Sequence, residues 1–195
     1  MAIQVVRNVD ETQAVTTAEM KNYLKANYGT DTTEDALLVD FIFSAQRFLE
    51  DLGQFSISSK TWKCWVDGKL DLKKLVLPMG PIISIQKVYR IDDEGTETEL
   101  TLNTDYYKKG LTDLVLFFTS TPSDGIPRGT NLNWYPIRVE YTAGHETVPD
   151  DLKIAVMKMT AENYMKRGDS ALAQVFTIPI LSTDLIAPYR KRRLF

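Results

Sequence analysis

The sequence holds a single cysteine, Cys64, and a single histidine, His145. One cysteine excludes an intramolecular disulfide and any cysteine cage for zinc or an iron–sulfur cluster. One imidazole excludes a multi-histidine metal site and leaves any nucleophile–histidine pair a single candidate base. Cys64 lies between Trp62 and Trp65 in a stretch that alternates like a strand. No cationic helix terminus stands near it to lower its pKa, and it reads as a small buried hydrophobe. His145 follows Thr142-Ala143-Gly144 at a strand exit and reads as a hydrogen-bonding surface residue of a loop.

Glycine-rich phosphate loops are missing too. Neither a GxxxxGK motif followed by Ser or Thr nor GxGxxG occurs, so nucleotide chemistry has no support. Asp92-Asp93-Glu94 lacks the spaced ligand ladder and closing glutamate of a calcium loop and is better explained as a turn. Long apolar runs are also absent. The opening Met1-Ala2-Ile3-Gln4-Val5-Val6-Arg7-Asn8 breaks early, and Leu114 to Phe118 is strand-sized, far short of the roughly 20 residues of a membrane helix. The reading is a soluble protein made in a reducing cytoplasm, with no membrane contact, metal or cofactor.

What remains is ordinary globular material: 195 residues, 44% hydrophobic, 25% charged and 10% aromatic. A chain of this size buries roughly 70% of its unfolded surface, enough for a core without staples. The net charge of −3 is unevenly spread: residues 1–56 carry −5, residues 57–147 carry −1 and residues 148–195 carry +3. Such a gradient suits contacts between copies, and equally suits unevenly solvated faces.

Hydrophobic periodicity changes from helical to strand-like near residue 56 and back near residue 148. The fold class that follows is α+β: a helical bundle of three main helices with an inserted antiparallel β domain and an extended C-terminal tail. Residues 1–56 hold an N-terminal segment and the first two helices, 57–147 the β domain, 148–168 the third helix, and 169–195 the tail. Thr16-Thr17-Ala18-Glu19 forms a capping box for a short helix closed by Gly29. Asp31-Thr32-Thr33-Glu34 caps the longest helix, in which Val39, Ile42, Phe43, Ala45, Phe48, Leu49 and Leu52 recur at helical spacing to Gly53. Its additional Leu37, Leu38 and Phe41 widen the apolar stripe beyond what one partner covers, so a sheet or a neighbouring subunit must lie against it.

In the β domain Trp62, Cys64 and Val66 fall on one face, with Thr61, Lys63 and Trp65 on the other. Ile83, Ile85 and Tyr89 follow the same period, Asp92 to Gly95 turns the chain, and Thr96 to Leu102 returns. Leu114 to Phe118 and Ile137 to Thr142 supply two more strands. The loop between them, Thr119 to Pro136, ends in Trp134 and Tyr135 and is long enough to suggest a contact with a tail-side partner or adjacent subunit. Val148-Pro149-Asp150-Asp151 opens the third helix. Within the tail, Ser182 to Ala187 suits one short turn, and the chain finishes Tyr189-Arg190-Lys191-Arg192-Arg193-Leu194-Phe195. Leu181, Leu185, Ile186, Tyr189, Leu194 and Phe195 are too apolar for a tail meant only to stay solvated: it folds back on its own core or docks into another protein.

The order of Thr61-Trp62, Leu77-Pro78-Met79-Gly80-Pro81-Ile82, Val88-Tyr89, Asp93-Glu94-Gly95, Val139-Glu140-Tyr141-Thr142-Ala143-Gly144, Val148-Pro149-Asp150-Asp151-Leu152 and Ala187-Pro188-Tyr189-Arg190 resembles the head-to-tail connector, or adaptor, proteins of tailed bacteriophages, the head-completion proteins. The resemblance runs from about residue 17 to the end and rests on the conjunction in order. It implies a non-enzymatic virion protein at the head–tail junction, forming a homo-oligomeric ring, commonly dodecameric, beneath the portal. Packaged DNA would pass through that ring without sequence-specific binding. It implies further that the C-terminal segment, Phe176 to Phe195, reaches the portal protein, with Phe176, Leu181, Leu185, Ile186, Tyr189, Arg190, Lys191, Arg192, Arg193, Leu194 and Phe195 as the docking residues. The stopper or tail proteins would be the partners on the other side. The alternatives are another neck component, such as a stopper or tail-completion protein, a nucleic-acid-binding module using Arg190 to Arg193, or a hydrolase built on His145 or paired carboxylates.

Overall fold

The structure, a computed structural model, describes residues 3–7, 12–24, 32–66, 74–91, 94–110, 115–119, 137–166 and 180–190. The chain divides into two units, each assembled from separated stretches. Met1–Glu11 and Ser59–Gly144 form a sheet unit, and Thr12–Ser58 with His145–Phe195 form a helical unit.

In the sheet unit, strands β1 (Ile3–Arg7), β2 (Lys60–Val66), β8 (Ile137–Ala143), β4 (Ile82–Ile91) and β5 (Glu97–Glu99) lie side by side in that order, all paired antiparallel. A second sheet has β3 (Lys74–Val76), β7 (Val115–Phe118) and β6 (Tyr106–Lys109). The alternation in β2 is as the sequence dictates: Trp62, Cys64 and Val66 are buried, and Thr61, Lys63 and Trp65 face outward half-exposed. In β8 Ile137, Val139, Tyr141 and Ala143 are likewise buried. These residues meet Leu75, Tyr106, Leu116 and Phe118 of the second sheet in one core. The outward face of the large sheet is a ladder of alternating charge, Lys63 to Glu140, Arg138 to Glu97 and Lys87 to Glu99, with Arg138 lying 4.5 Å over the Tyr89 ring. Charge of both signs keeps that face in water.

Strand β4 corrects the period-two reading of Ile83, Ile85 and Tyr89. Its pairing with β8 shifts register between Ile82 and Ser84 and again between Ile85 and Lys87. Each shift inverts the faces, so Ile82, Val88 and Ile91 are the buried residues and Ile83 is exposed. The N-terminal segment, left without an element by the sequence, contributes a strand: β1 pairs along β2, Ile3 with Val66 through Arg7 with Trp62.

The helical unit contains α1 (Thr17–Tyr23), α2 (Asp35–Gly53), α3 (Asp150–Met165), α4 (Ile180–Ile186) and a 3-10 turn at Ala187–Tyr189. Among the described residues the helical unit therefore has four helices, where three main helices were expected. The capping box of α1 is present in full: Thr16 Oγ1 accepts from the Glu19 amide at 3.2 Å, and Glu19 Oε2 accepts from the Thr16 amide at 2.8 Å. That pairing and Lys153 hold the Glu19 carboxyl below the usual range. Helix α1 ends at Tyr23 with Leu24 as its cap; Gly29 lies outside the described residues. The N-cap of α2 is Glu34, which makes no side-chain capping hydrogen bond, rather than Thr32 or Thr33.

The other end of α2 is closed by Gln54, in the left-handed conformation at φ 56°, rather than by Gly53. Gly53 is required for a different reason: a Cβ there would lie 2.3 Å from Cε1 of Phe55, whose ring is in the core. Leu38, Ile42, Ala45 and Leu49 of α2 pack with Leu152, Ala155 and Val156 of α3. No helix among the described residues is long and apolar enough to cross a membrane.

Candidate docking surface at the C-terminal segment

The C-terminal segment is built onto the start of α3. Pro149 occupies its N-cap, and Asp151 Oδ1 accepts from the Leu152 amide at 3.0 Å. The hydroxyl of Tyr189 donates to the same carboxylate, 2.9 Å from each oxygen. Its ring stacks on Phe55 at 6.0 Å and 27°, and meets the edge of His145 at 5.8 Å and 87°. Burial raises the Tyr189 phenol pKa, and the Asp151 hydrogen bond adds to it. Ile186 is wholly buried in the helical core, with Leu185 and Tyr189 packed at its border. Residues 180–189 are therefore helical and folded back, which corrects the extended tail for this stretch. Ile186, Leu185 and Tyr189 are structural members of their own core, since apolar side chains this size gain most by leaving water at once.

Arg190 follows, exposed and extended. Phe176, Lys191, Arg192, Arg193, Leu194 and Phe195 lie outside the described residues, as does the side chain of Leu181. Trp134 and Tyr135 of the long loop lie outside them too. The described C-terminal residues thus end at a basic side chain directly after an anchored aromatic.

The packing of α4 carries a cost. The hydroxyls of Thr160 on α3 and Ser182 on α4 are buried without a hydrogen-bond partner, and each such group subtracts from the gain of docking. His145 is half-buried; its amide donates to the Ile57 carbonyl at 3.1 Å, while its Nε2 is buried without a partner. Burial lowers its pKa, against a smaller opposing pull from Asp151. Cys64 is fully buried, and desolvation pushes its thiol up to about 12, the state of an inert structural cysteine. Among the described residues no group of three His, Cys, Asp or Glu side chains is placed to hold a metal. A cleft of ≈ 200 Å³ is lined by Lys21, Glu34, Asp35, Leu38 and Tyr164. Ion pairing of Lys21 with Asp35 and a hydrogen bond from Tyr164 to Glu34 occupy its polar groups, and it is smaller than a typical ligand pocket.

Two buried polar residues of α2 escaped the sequence reading. Gln46 Oε1 accepts from the Ala14 amide at 2.9 Å, and its Nε2 donates to Ser58 Oγ at 2.8 Å. Ser58 Oγ donates in turn to the Thr12 carbonyl at 2.7 Å. One turn on, buried Glu50 accepts from the Ile57 amide at 2.8 Å. Together they fix the strands of chain entering and leaving the helical unit to α2. The signal was a polar pair at i and i+4 beside an apolar stripe.

A helical unit and a sheet unit woven from one chain make this an α+β protein, its described residues ending at Arg190 beside the anchored Tyr189. The family model for head completion proteins matches residues 13–177. The chain belongs to the head completion protein family. Its fold is similar to chains in three solved structures: the virion of a native gene transfer agent (GTA) particle, at 22% identity and TM-score 0.75; the neck of an empty GTA particle computed with C6 symmetry, at 21% and 0.72; and the neck of a native GTA particle computed with C12 symmetry, at 20% and 0.65. In each case 100% of this chain and 98% of the other are covered. No curated protein matches the sequence.

Proposed function

We propose that this chain is a structural, non-catalytic part of the head–tail junction of a phage-like particle: an adaptor ring, joined to the portal on one side and to the stopper or tail on the other, through which packaged DNA passes. The observation that carries this reading is the family match over residues 13–177, supported by a fold alike over 100% of the chain to components of virion and neck structures. A role through surfaces also agrees with an electrostatic gradient of −5 to +3 along the chain.

In this reading the portal contact is made by Arg190 and the residues after it, Lys191, Arg192, Arg193, Leu194 and Phe195, with Phe176 and Leu181 as further contacts. Leu185, Ile186 and Tyr189 act by fixing the point from which that segment departs. The loop containing Trp134 and Tyr135 contacts the tail-side partner or an adjacent subunit.

The test is co-sedimentation with tailless, DNA-filled heads, comparing the full chain with one ending at Arg190. The shortened chain should keep its unfolding midpoint and lose binding. Equal binding by both would remove the basic end from the portal contact, and binding by neither would remove the portal contact altogether. Neutralising Arg190 to Arg193 should weaken binding more at low than at high salt, because exposed charges are screened beyond about 10 Å at 0.1 M.

A further inference from the structure

Two exposed apolar faces stand out, one in each unit. On α2, exposed Leu37, Phe48 and Leu52 lie beside the buried Leu38, Ala45 and Leu49, with exposed Asp40, Arg47 and Asp51 along their outer border. On the small sheet, the outward face carries two cross-strand rows: Lys74, Phe117 and Tyr107, then Val76, Val115 and Lys109. Phe48, Leu52 and Leu37, like Val76, Tyr107 and Phe117, are between 37% and 48% exposed, whereas other outward faces of the sheet unit are laddered with charge. One face is apolar with two carboxylates and one arginine at its border; the other is apolar with lysines at opposite corners.

We infer that the α2 stripe of one copy docks on the outer face of the β3–β7–β6 sheet of the next copy. The inference rests on the ring reading above and names its contact. The two faces match in chemistry and in scale. Three strands two residues deep present a patch of roughly 10 by 7 Å, with Lys74 and Lys109 about 12 Å apart across the diagonal. Phe48 and Leu52 span one helical turn, about 6 Å, and Asp40 and Asp51 stand about 16 Å apart along α2, a difference that lysine stems bridge. Aromatic residues at the centre with charges at the rim is the arrangement of protein interfaces. Because the two faces are different surfaces of the same chain, each copy offers one to each neighbour, and the contact is head-to-tail, closing into a ring when the rotation allows.

Cys64 is buried and its thiol inert, so cysteines introduced at the surface report alone. Full-length Phe48→Cys and Phe117→Cys chains, each checked by circular dichroism, would be oxidised singly and mixed, free in solution and bound to tailless heads. The mixture should give a disulfide dimer that neither variant gives alone. In sedimentation equilibrium Asp51→Lys should weaken self-association by roughly ten-fold or more, and Lys109→Asp in the partner chain should restore part of it. A glutaraldehyde ladder of the unaltered chain separates the two failures. If the ladder forms but no mixed disulfide appears and Asp51→Lys changes nothing, this contact is wrong and the ring stands. If no ladder forms in solution or on heads, the ring falls with it. Homodimers from a single variant would show a two-fold contact and overturn the head-to-tail arrangement.

Discussion

Gly53→Ala is a substitution for which local and tertiary effects oppose each other and the structure decides the sign. Gly53 lies in the last turn of α2, where alanine is ordinarily better by about 1 kcal/mol. Its Cβ, however, would sit 2.3 Å from Cε1 and 2.4 Å from Cδ1 of Phe55, against the roughly 3.5–4.0 Å of a relaxed carbon contact. The ring would have to retreat by about 1 Å or more. Phe55 is 1% exposed and stacked on Tyr189, so there is no open space to retreat into, and overpacking of a filled core costs about 1–3 kcal/mol. The net expectation is a loss of about 0–2 kcal/mol, so the ordinary gain of alanine is at least cancelled. Urea unfolding followed by far-ultraviolet circular dichroism reads the helical unit, while Trp62 and Trp65 fluorescence reads the sheet unit. The first transition should move to lower urea and the second should stay. Phe55→Leu removes the clashing ring atoms, so the double variant should lose less than the sum of the two singles. A Gly53→Ala midpoint clearly above that of the unaltered chain would refute the packing argument.

Gln46→Ala should destabilise the helical unit by about 1–3 kcal/mol, because it strips a partner from the buried Ala14 amide; an unchanged urea midpoint would count against the clamp. The pKa of His145 is lowered by burial, so the folded state favours the neutral ring. Its stabilising contribution is present above the unfolded value near 6.5 and is lost as pH falls through the folded value. Between pH 7 and pH 5 the unaltered chain should lose stability faster than His145→Asn, and parallel profiles would refute the assignment. Cys64, with its thiol pushed up to about 12, should resist a disulfide reagent at pH 8 until urea unfolds the sheet unit; immediate labelling would contradict its burial.

The sequence made the long helix, the α3 start and the β2 and β8 faces legible because each repeats one period without interruption. Strand β4 was misread because its buried set changes face at two register shifts, and a shift leaves no mark in a single strand's pattern. Ile3–Arg7 was unplaced because its stabilisation is pairing with β2 across some sixty residues. The C-terminal segment offered two readings, folding back or docking outward, and composition alone does not separate them. Burial of Ile186 and the hydrogen bonds from Tyr189 to Asp151 settle the first for residues 180–189. Gly53 is the last residue of α2, but Gln54 in the left-handed conformation closes the helix, and what requires glycine at 53 is the Phe55 ring beside it, which a sequence pattern does not show.

The weaving of the two units has a consequence for synthesis. The sheet unit has all its described strands once residue 144 has been made, whereas the helical unit lacks Ile186 and Tyr189 until more than forty further residues are added. At about 5–20 residues per second, α2 waits several seconds with Ile42, Leu49 and Phe55 short of their final cover. The first unit to close is therefore the β insertion, and the outer helices, though they begin earlier in the chain, are completed after it.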